Sequence, residues 1–189
     1  MKRELSLILS TMMLLAIASA DENLKKVENF SLEALNGKKV SLTDYKDAKA
    51  IVIMFIATEC PVSNAYNERM AALHQDYKSK GIVFLGINSN KQESLDDMRE
   101  HAREHKHEFT ILKDRDNIVA DKFDAQFTPE VFVLGKNLEI QYHGRIDNNR
   151  SEGKVSSKDL RNALDEILAG KSVSNARTKA FGCTIKRVG

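Results

Sequence analysis

Two stretches of the chain are apolar at almost every position. Ala50–Ala57 (AIVIMFIA) and Ile82–Asn88 (IVFLGIN) are rich in β-branched residues and lack the alternation of a half-exposed strand. Runs of this length predict strands buried on both faces, at the centre of a sheet covered by helices. Between them, Tyr66, Met70, Leu73 and Tyr77 recur at helical spacing. They draw one apolar stripe along a helix over Ser63–Lys80, with Gly81 where a C-cap would stand. Strand, helix and strand in this order form a βαβ unit, whose crossover is right-handed in nearly all folds.

The flanking pattern adds antiparallel pieces. Phe30–Tyr45 holds two short runs around Asn36-Gly37, a hairpin signal. Ser94–His105 is a polar helix with Ser94 and Asp97 at capping-box spacing. Phe109–Leu112 is a short apolar piece, and Asp116–Phe123 reads as a short helix. Glu130–Leu134 and Leu138–Gly144 flank Gly135-Lys136-Asn137 as a second hairpin. Asp159–Ala169 turns Leu160, Leu164, Ile167 and Leu168 inward before Gly170. No repeat or low-complexity linker interrupts the chain. The pattern predicts one α/β domain over residues 21–170, a mixed sheet with helices on both faces, followed by a tail over 171–189.

Composition narrows the function classes. The chain has 189 residues, 42% of them apolar and 30% charged, with a net charge of +2. This excludes a mostly disordered chain, a coiled-coil rod and a collagen-like repeat. It gives no electrostatic case for nucleic acid. The N-terminus supplies a compartment. Lys2 and Arg3 precede a mostly apolar Leu5–Ile17, and Ala18-Ser19-Ala20 follows with small residues. Residues 1–20 therefore read as a cleaved signal peptide, too short in apolar length to span a bilayer. The expectation is an exported protein, periplasmic or extracellular and without stable membrane insertion, where a disulfide persists. Only two Cys are present, so at most one intrachain bridge forms.

The candidate chemistry begins at Cys60. It follows the strand Ala50–Ala57 and precedes a helix opened by Pro61, which suits the first helical turn. Helix-start amides favour a thiolate over a thiol, and Ser63 at the helix start can donate a hydrogen bond to it. The competing reading is a buried, inert cysteine. The other proline, Pro129, stands in Phe127-Thr128-Pro129-Glu130 immediately before a strand, where it holds Thr128 extended.

Cys60-Pro61 after a buried strand, Thr128-Pro129-Glu130-Val131-Phe132-Val133-Leu134, the run His143-Gly144-Arg145-Ile146-Asp147 and the closing Ala180-Phe181-Gly182-Cys183-Thr184-Ile185-Lys186 together resemble the thioredoxin superfamily. The resemblance is to its exported redoxin, or peroxiredoxin-like (AhpC/TSA-related), branch, and covers nearly all of residues 25–187. It implies a thioredoxin-like sheet with an N-terminal hairpin extension and Pro129 as a cis-proline facing the active cysteine. It also implies thiol–disulfide exchange, without a cofactor, on protein or small thiol/disulfide substrates and with a separate reductant. Two departures stand out. Thioredoxin-type enzymes carry Cys-x-x-Cys, and here the second position is Ser63. Peroxiredoxins place their Thr or Ser and their proline ahead of the reactive Cys where this chain has Ala57 and Ile53.

With two thiols in an exported chain, Cys60–Cys183 is the simplest pairing. As a redox pair, Cys60 is the nucleophile and Cys183 the resolving thiol. As a staple, the bond only stabilises a non-catalytic binding or scaffold module. A weak thiol peroxidase is the third reading. His101, His105 and His107 read as surface residues of a solvated segment and not as a metal site, and the four tyrosines as packing residues.

Overall fold

In the computed structural model, which describes residues 25–189, the two apolar runs form β3 (Ala50–Phe55) and β4 (Ile82–Asn88). They pair in parallel, Ala50 opposite Ile82 and Phe55 opposite Ile87. The expected signal peptide lies outside the described residues. β3 is central, with β4 on one side and the antiparallel β7 (Glu130–Leu134) on the other, and every residue of it is buried because both faces of the sheet are covered. β5 (Thr110–Lys113) extends the parallel set beyond β4. The hairpin of β1 (Ser31–Ala34) and β2 (Lys39–Ser41) closes one edge and β8 (Ile140–Gly144) the other. Gly37, at φ +80°, makes the hairpin turn. The seven-stranded order β2-β1-β5-β4-β3-β7-β8 is the mixed sheet expected from the pattern.

Alternate residues of β3 feed two cores. Val52 and Met54 pack with Met70, Leu73 and Tyr77 of α2 (Asn67–Lys78), Met98 of α3 (Leu95–Glu104) and Leu160 and Leu164 of α5 (Asp159–Leu168). Ile51, Ile53 and Phe55 face Leu42 and Val119 and Phe123 of α4 (Ile118–Phe123). There the Phe123 ring packs edge-on against Phe55 and Phe132 at 5.7 and 4.9 Å. The capping box at α3 forms as its spacing predicts, with Ser94 and Asp97 bonding each other's backbone N–H.

The helix expected over Ser63–Lys80 is two helices, α1 (Pro61–Asn64) and α2. The break at Ala65–Tyr66 is held by Arg69, which donates to the Ala65 carbonyl at 2.9 Å and to the Asp147 carboxylate at 2.6 Å. Tyr66 stays in the apolar stripe while its hydroxyl donates to Asp147. α2 ends at Lys78, ahead of the Gly81 C-cap position. Gly81, at φ +87°, instead turns the chain into β4 and accepts the Lys49 N–H.

The histidines depart from the surface reading. The chain reverses after α3 through Lys106, at φ +53°, and stacks the His107 ring on Phe109 at 4.8 Å. His107 is buried, and His101 and His105 are half-buried against it. Burial pushes the His107 pKa down from 6.5 to about 4, helped by the neighbouring His101 and His105. Burial likewise lowers His101 and His74. The unfolded chain then takes up protons first as pH falls through its ordinary value near 6.5. Stability is therefore full above that value and lost below it, for His107 by about 1.4 kcal/mol per pH unit until near pH 4. Urea melts from pH 7.5 to 4 are expected to show this decline, and His107→Phe to flatten it; an unchanged profile would exclude His107 as its source.

Candidate active site

Cys60 is the N-cap of α1, with extended backbone at φ −85°, ψ 113°. In this conformation its side chain turns over the helix start, and the Ser63 N–H donates to Sγ at 3.3 Å. Pro61 takes the first helical position, where no N–H is needed, and is exposed. The bond expected from Ser63 is thus made by its backbone. Its buried hydroxyl accepts the Ala57 N–H at 3.3 Å and stitches the end of β3 to the helix.

Opposite the sulfur stands the cis Thr128–Pro129 bond, with the Thr128 carbonyl oxygen 3.3 Å from Cys60 Sγ. A buried carboxylate fixes this loop. Glu130 accepts the Gln126 and Phe127 N–H groups at 2.7 and 2.9 Å through one oxygen. Its other oxygen accepts from His143 Nε2 at 2.6 Å, and the His143 ring stacks on Phe132 at 4.0 Å.

The tail arrives as strand, without a helix. β9 (Cys183–Thr184) pairs antiparallel with β6 (Phe127–Thr128), and Cys183 lies opposite Thr128. Cys60 and Cys183 are joined in a disulfide with Cα atoms 5.9 Å apart, inside the usual range. The tail is anchored on both sides of Cys183. Upstream, the Thr178 N–H donates to the His143 carbonyl, and its hydroxyl meets that of Tyr142 at 2.7 Å. Downstream, Ile185 N–H donates to Gln126 O and Lys186 N–H to Asn90 Oδ1 at 2.8 Å. Cys60 is accordingly only 4% exposed; its sulfur lies beneath the tail and not open to solvent.

A second buried group organises the approach to Cys60. The Glu93 carboxylate, 2% exposed, accepts the Thr58 N–H at 2.7 Å, the Asn90 amide at 3.0 Å and the Asn88 amide. Lys113 fills the other side, donating to Asn88 Oδ1 at 2.9 Å, Asn90 O at 2.6 Å and Glu93 O at 2.8 Å. Burial lowers the Lys113 pKa, against the pull of Glu93. One polar knot thus ties the loop before Cys60 to the ends of β4 and β5 and, through Asn90, to the tail.

The structure brings together Cys60, Ser63, Thr128, Pro129 and Cys183, with Pro61 at the rim. Glu93, Lys113, Asn88, Asn90, Glu130 and His143 were not read as site residues. The available signal was position: Asn88, Asn90, Glu93 and Lys113 lie at or just beyond the carboxyl ends of parallel strands, the edge where α/β sheets build sites. Among the described residues, no group of three or more His, Cys, Asp or Glu is arranged to hold a metal ion, and no helix is long and apolar enough to cross a membrane.

The AhpC/TSA family model matches residues 24–143, and the chain belongs to that family. It is 27% identical over 112 residues to the thiol-disulfide oxidoreductase ResA of Bacillus subtilis, covering 59% of this chain and 61% of ResA. It therefore spans less than two thirds of that relative's length. A hypothetical protein from Sinorhizobium meliloti superposes with a TM-score of 0.82 at 30% identity, covering 87% of this chain and 93% of that one. The thioredoxin domain of a Bacteroides vulgatus thiol-disulfide oxidoreductase superposes at 0.62 with 17% identity, covering 81% and 99%. The fold is thioredoxin-like.

Proposed function

We propose that this protein is a thiol–disulfide oxidoreductase working outside the cytoplasm, with Cys60 as nucleophile and Cys183 as resolving thiol. The observation that carries this reading is the seat of Cys60: a helix-start amide on its sulfur, the Thr128–Pro129 bond across from it, and a second thiol delivered by the strand paired to that loop. Ser63 occupies the place of a local second cysteine, so the tail supplies the partner. In the reduced protein, the Cys60 thiolate attacks one sulfur of a substrate disulfide and expels the other as a thiolate. Cys183 then attacks Cys60 Sγ, closing Cys60–Cys183 and releasing the second substrate thiolate. Two electrons pass to the substrate, the Cys183 proton and one from solvent end on its thiols, and a dithiol reductant restores the protein. Thr128 and Pro129 shape the face on which the substrate sulfur lands.

Export is part of the reading, supported by the charged, apolar and small-residue order of residues 1–20 and by a bond that persists in oxidising compartments. Residues 21–170 form the redoxin domain in this reading, and 171–189 the tail that carries its second thiol.

One observation favours a different role: the sulfur is 4% exposed beneath the tail. A bond across a separation of 123 residues would, as a staple, contribute about 5 kcal/mol in the chain-entropy model. The reduction potential of the native protein, measured against glutathione with mapping of the cysteine pairs, separates the two. A value between about −120 and −270 mV, the span of exchange proteins, is the expected result. One below about −300 mV would make the bond structural and overturn the oxidoreductase reading.

A further inference from the structure

The tail meets the site in a manner specific to an extended chain with a cysteine at its centre. β9 adds to β6 in antiparallel register, Cys183 opposite Thr128 and Thr184 opposite Phe127. β9 itself spans Cys183–Thr184, and Phe181 and Ile185 lie two residues to either side of Cys183. Phe181 lies edge-on to the Tyr66 ring at 6.3 Å, in the core that also takes Val62. That ring is preset: the Arg69 guanidinium sits 3.7 Å above it and Asp147 accepts its hydroxyl. Ile185 is buried in the opposite core, whereas Thr184 is exposed. At Gly182 a Cβ would lie 2.0 Å from the Thr128 carbonyl oxygen, so a side chain has no room there.

From this geometry we infer that the substrate is a protein segment of the pattern aromatic–Gly–Cys–any–aliphatic, added as a strand to β6 in place of residues 181–185. The tail is an internal copy of that segment. The inference rests on the oxidoreductase reading and deepens it. A short strand edge recognises a guest through main-chain hydrogen bonds, with alternate side chains giving selectivity. In the reduced protein, the segment's cysteine is held in a disulfide and the Cys60 thiolate attacks that sulfur. The Cys60–substrate bond forms as the segment's own S–S bond breaks, its former partner leaving as a thiolate with the electron pair. Cys183 then attacks Cys60 Sγ, closing Cys60–Cys183 and freeing the segment as a thiolate, so the substrate disulfide gains the two electrons that the two cysteines lose.

The test uses full-length Cys183→Ser protein and the peptide KAFGCTIK with its cysteine capped as a 2-thiopyridyl disulfide, so that attack by Cys60 releases thiopyridone. The matched peptide is expected to react about tenfold or more faster than a scrambled one, the scale of one seated apolar anchor. Exchanging its Phe, Gly or Ile for Ala should each remove most of that advantage. Adding Gly182→Val to the protein drives the tail off Thr128 and should accelerate the matched peptide further. Equal rates for matched and scrambled peptides, with 2,2′-dithiodipyridine still reacting at Cys60, would overturn the recognition pattern and leave the oxidoreductase reading standing. A matched-peptide rate unmoved by Gly182→Val would overturn the tail as internal copy. A Cys60 inert even to 2,2′-dithiodipyridine would sink both.

Discussion

Serine in place of Cys60 is expected to lower thiol–disulfide exchange by roughly 10⁶-fold, the order of loss when covalent catalysis loses its nucleophile. Ser63 cannot substitute, because its hydroxyl accepts the Ala57 N–H and has no thiolate to offer. Cys183→Ser should behave differently. The first attack survives, because the amide on Sγ and the cis Thr128–Pro129 bond belong to the domain and not to the tail. The second attack has no thiol, so substrate accumulates as a stable adduct on Cys60. Rates with a glutathionylated peptide, together with intact-mass analysis of both variants, distinguish the two steps. If Cys60→Ser kept the activity, or both variants lost it without an adduct on Cys183→Ser, the assigned roles would be wrong.

The second large effect is on stability. Glu93→Ala should cost about 3–5 kcal/mol, the scale of leaving several buried donors without an acceptor at once. The carboxylate accepts the Thr58 N–H and the side-chain amides of Asn88 and Asn90, and its charge favours the nearby Lys113 ammonium. Its loss leaves these donors without an acceptor in a site 2% exposed. For a chain of this size the melting temperature should drop by roughly 10 °C. Glu93→Gln keeps one acceptor and should cost less, about 1–3 kcal/mol. Chemical denaturation and calorimetry of both variants check the order. A loss near zero for Glu93→Ala would mean that water satisfies the knot as well as the carboxylate does.

Much of the architecture was legible because it rests on local pattern. β3 and β4 announce themselves as unbroken apolar runs, α3 by Ser94 and Asp97, and the second core helix by Tyr66, Met70, Leu73 and Tyr77. The break after Asn64 was not legible, since Arg69 and Asp147, which hold it, are far apart in the chain. The polar knot escaped for the same reason. Asn88 closes a predicted apolar strand, and nothing in Ser89 or Asn90 marks them as buried before β4, β5 and the tail converge over them. Of the site, Cys60 and Pro129 stood out by type and position, and Cys183 by being the one remaining thiol. The backbone that joins them, a two-residue strand on each side, is too short to leave a periodic signature.

The double anchoring of the tail limits how long any captured guest can stay. Outside the stretch a guest replaces, Cys183 is moored at Thr178 upstream and at Lys186 downstream. Once displaced it cannot drift away, and its sulfur faces Cys60 at a local concentration far above that of free thiols in solution. Adducts on the unaltered protein should therefore be fleeting, and a search for natural clients by trapping would come back empty unless the leashed thiol is removed first.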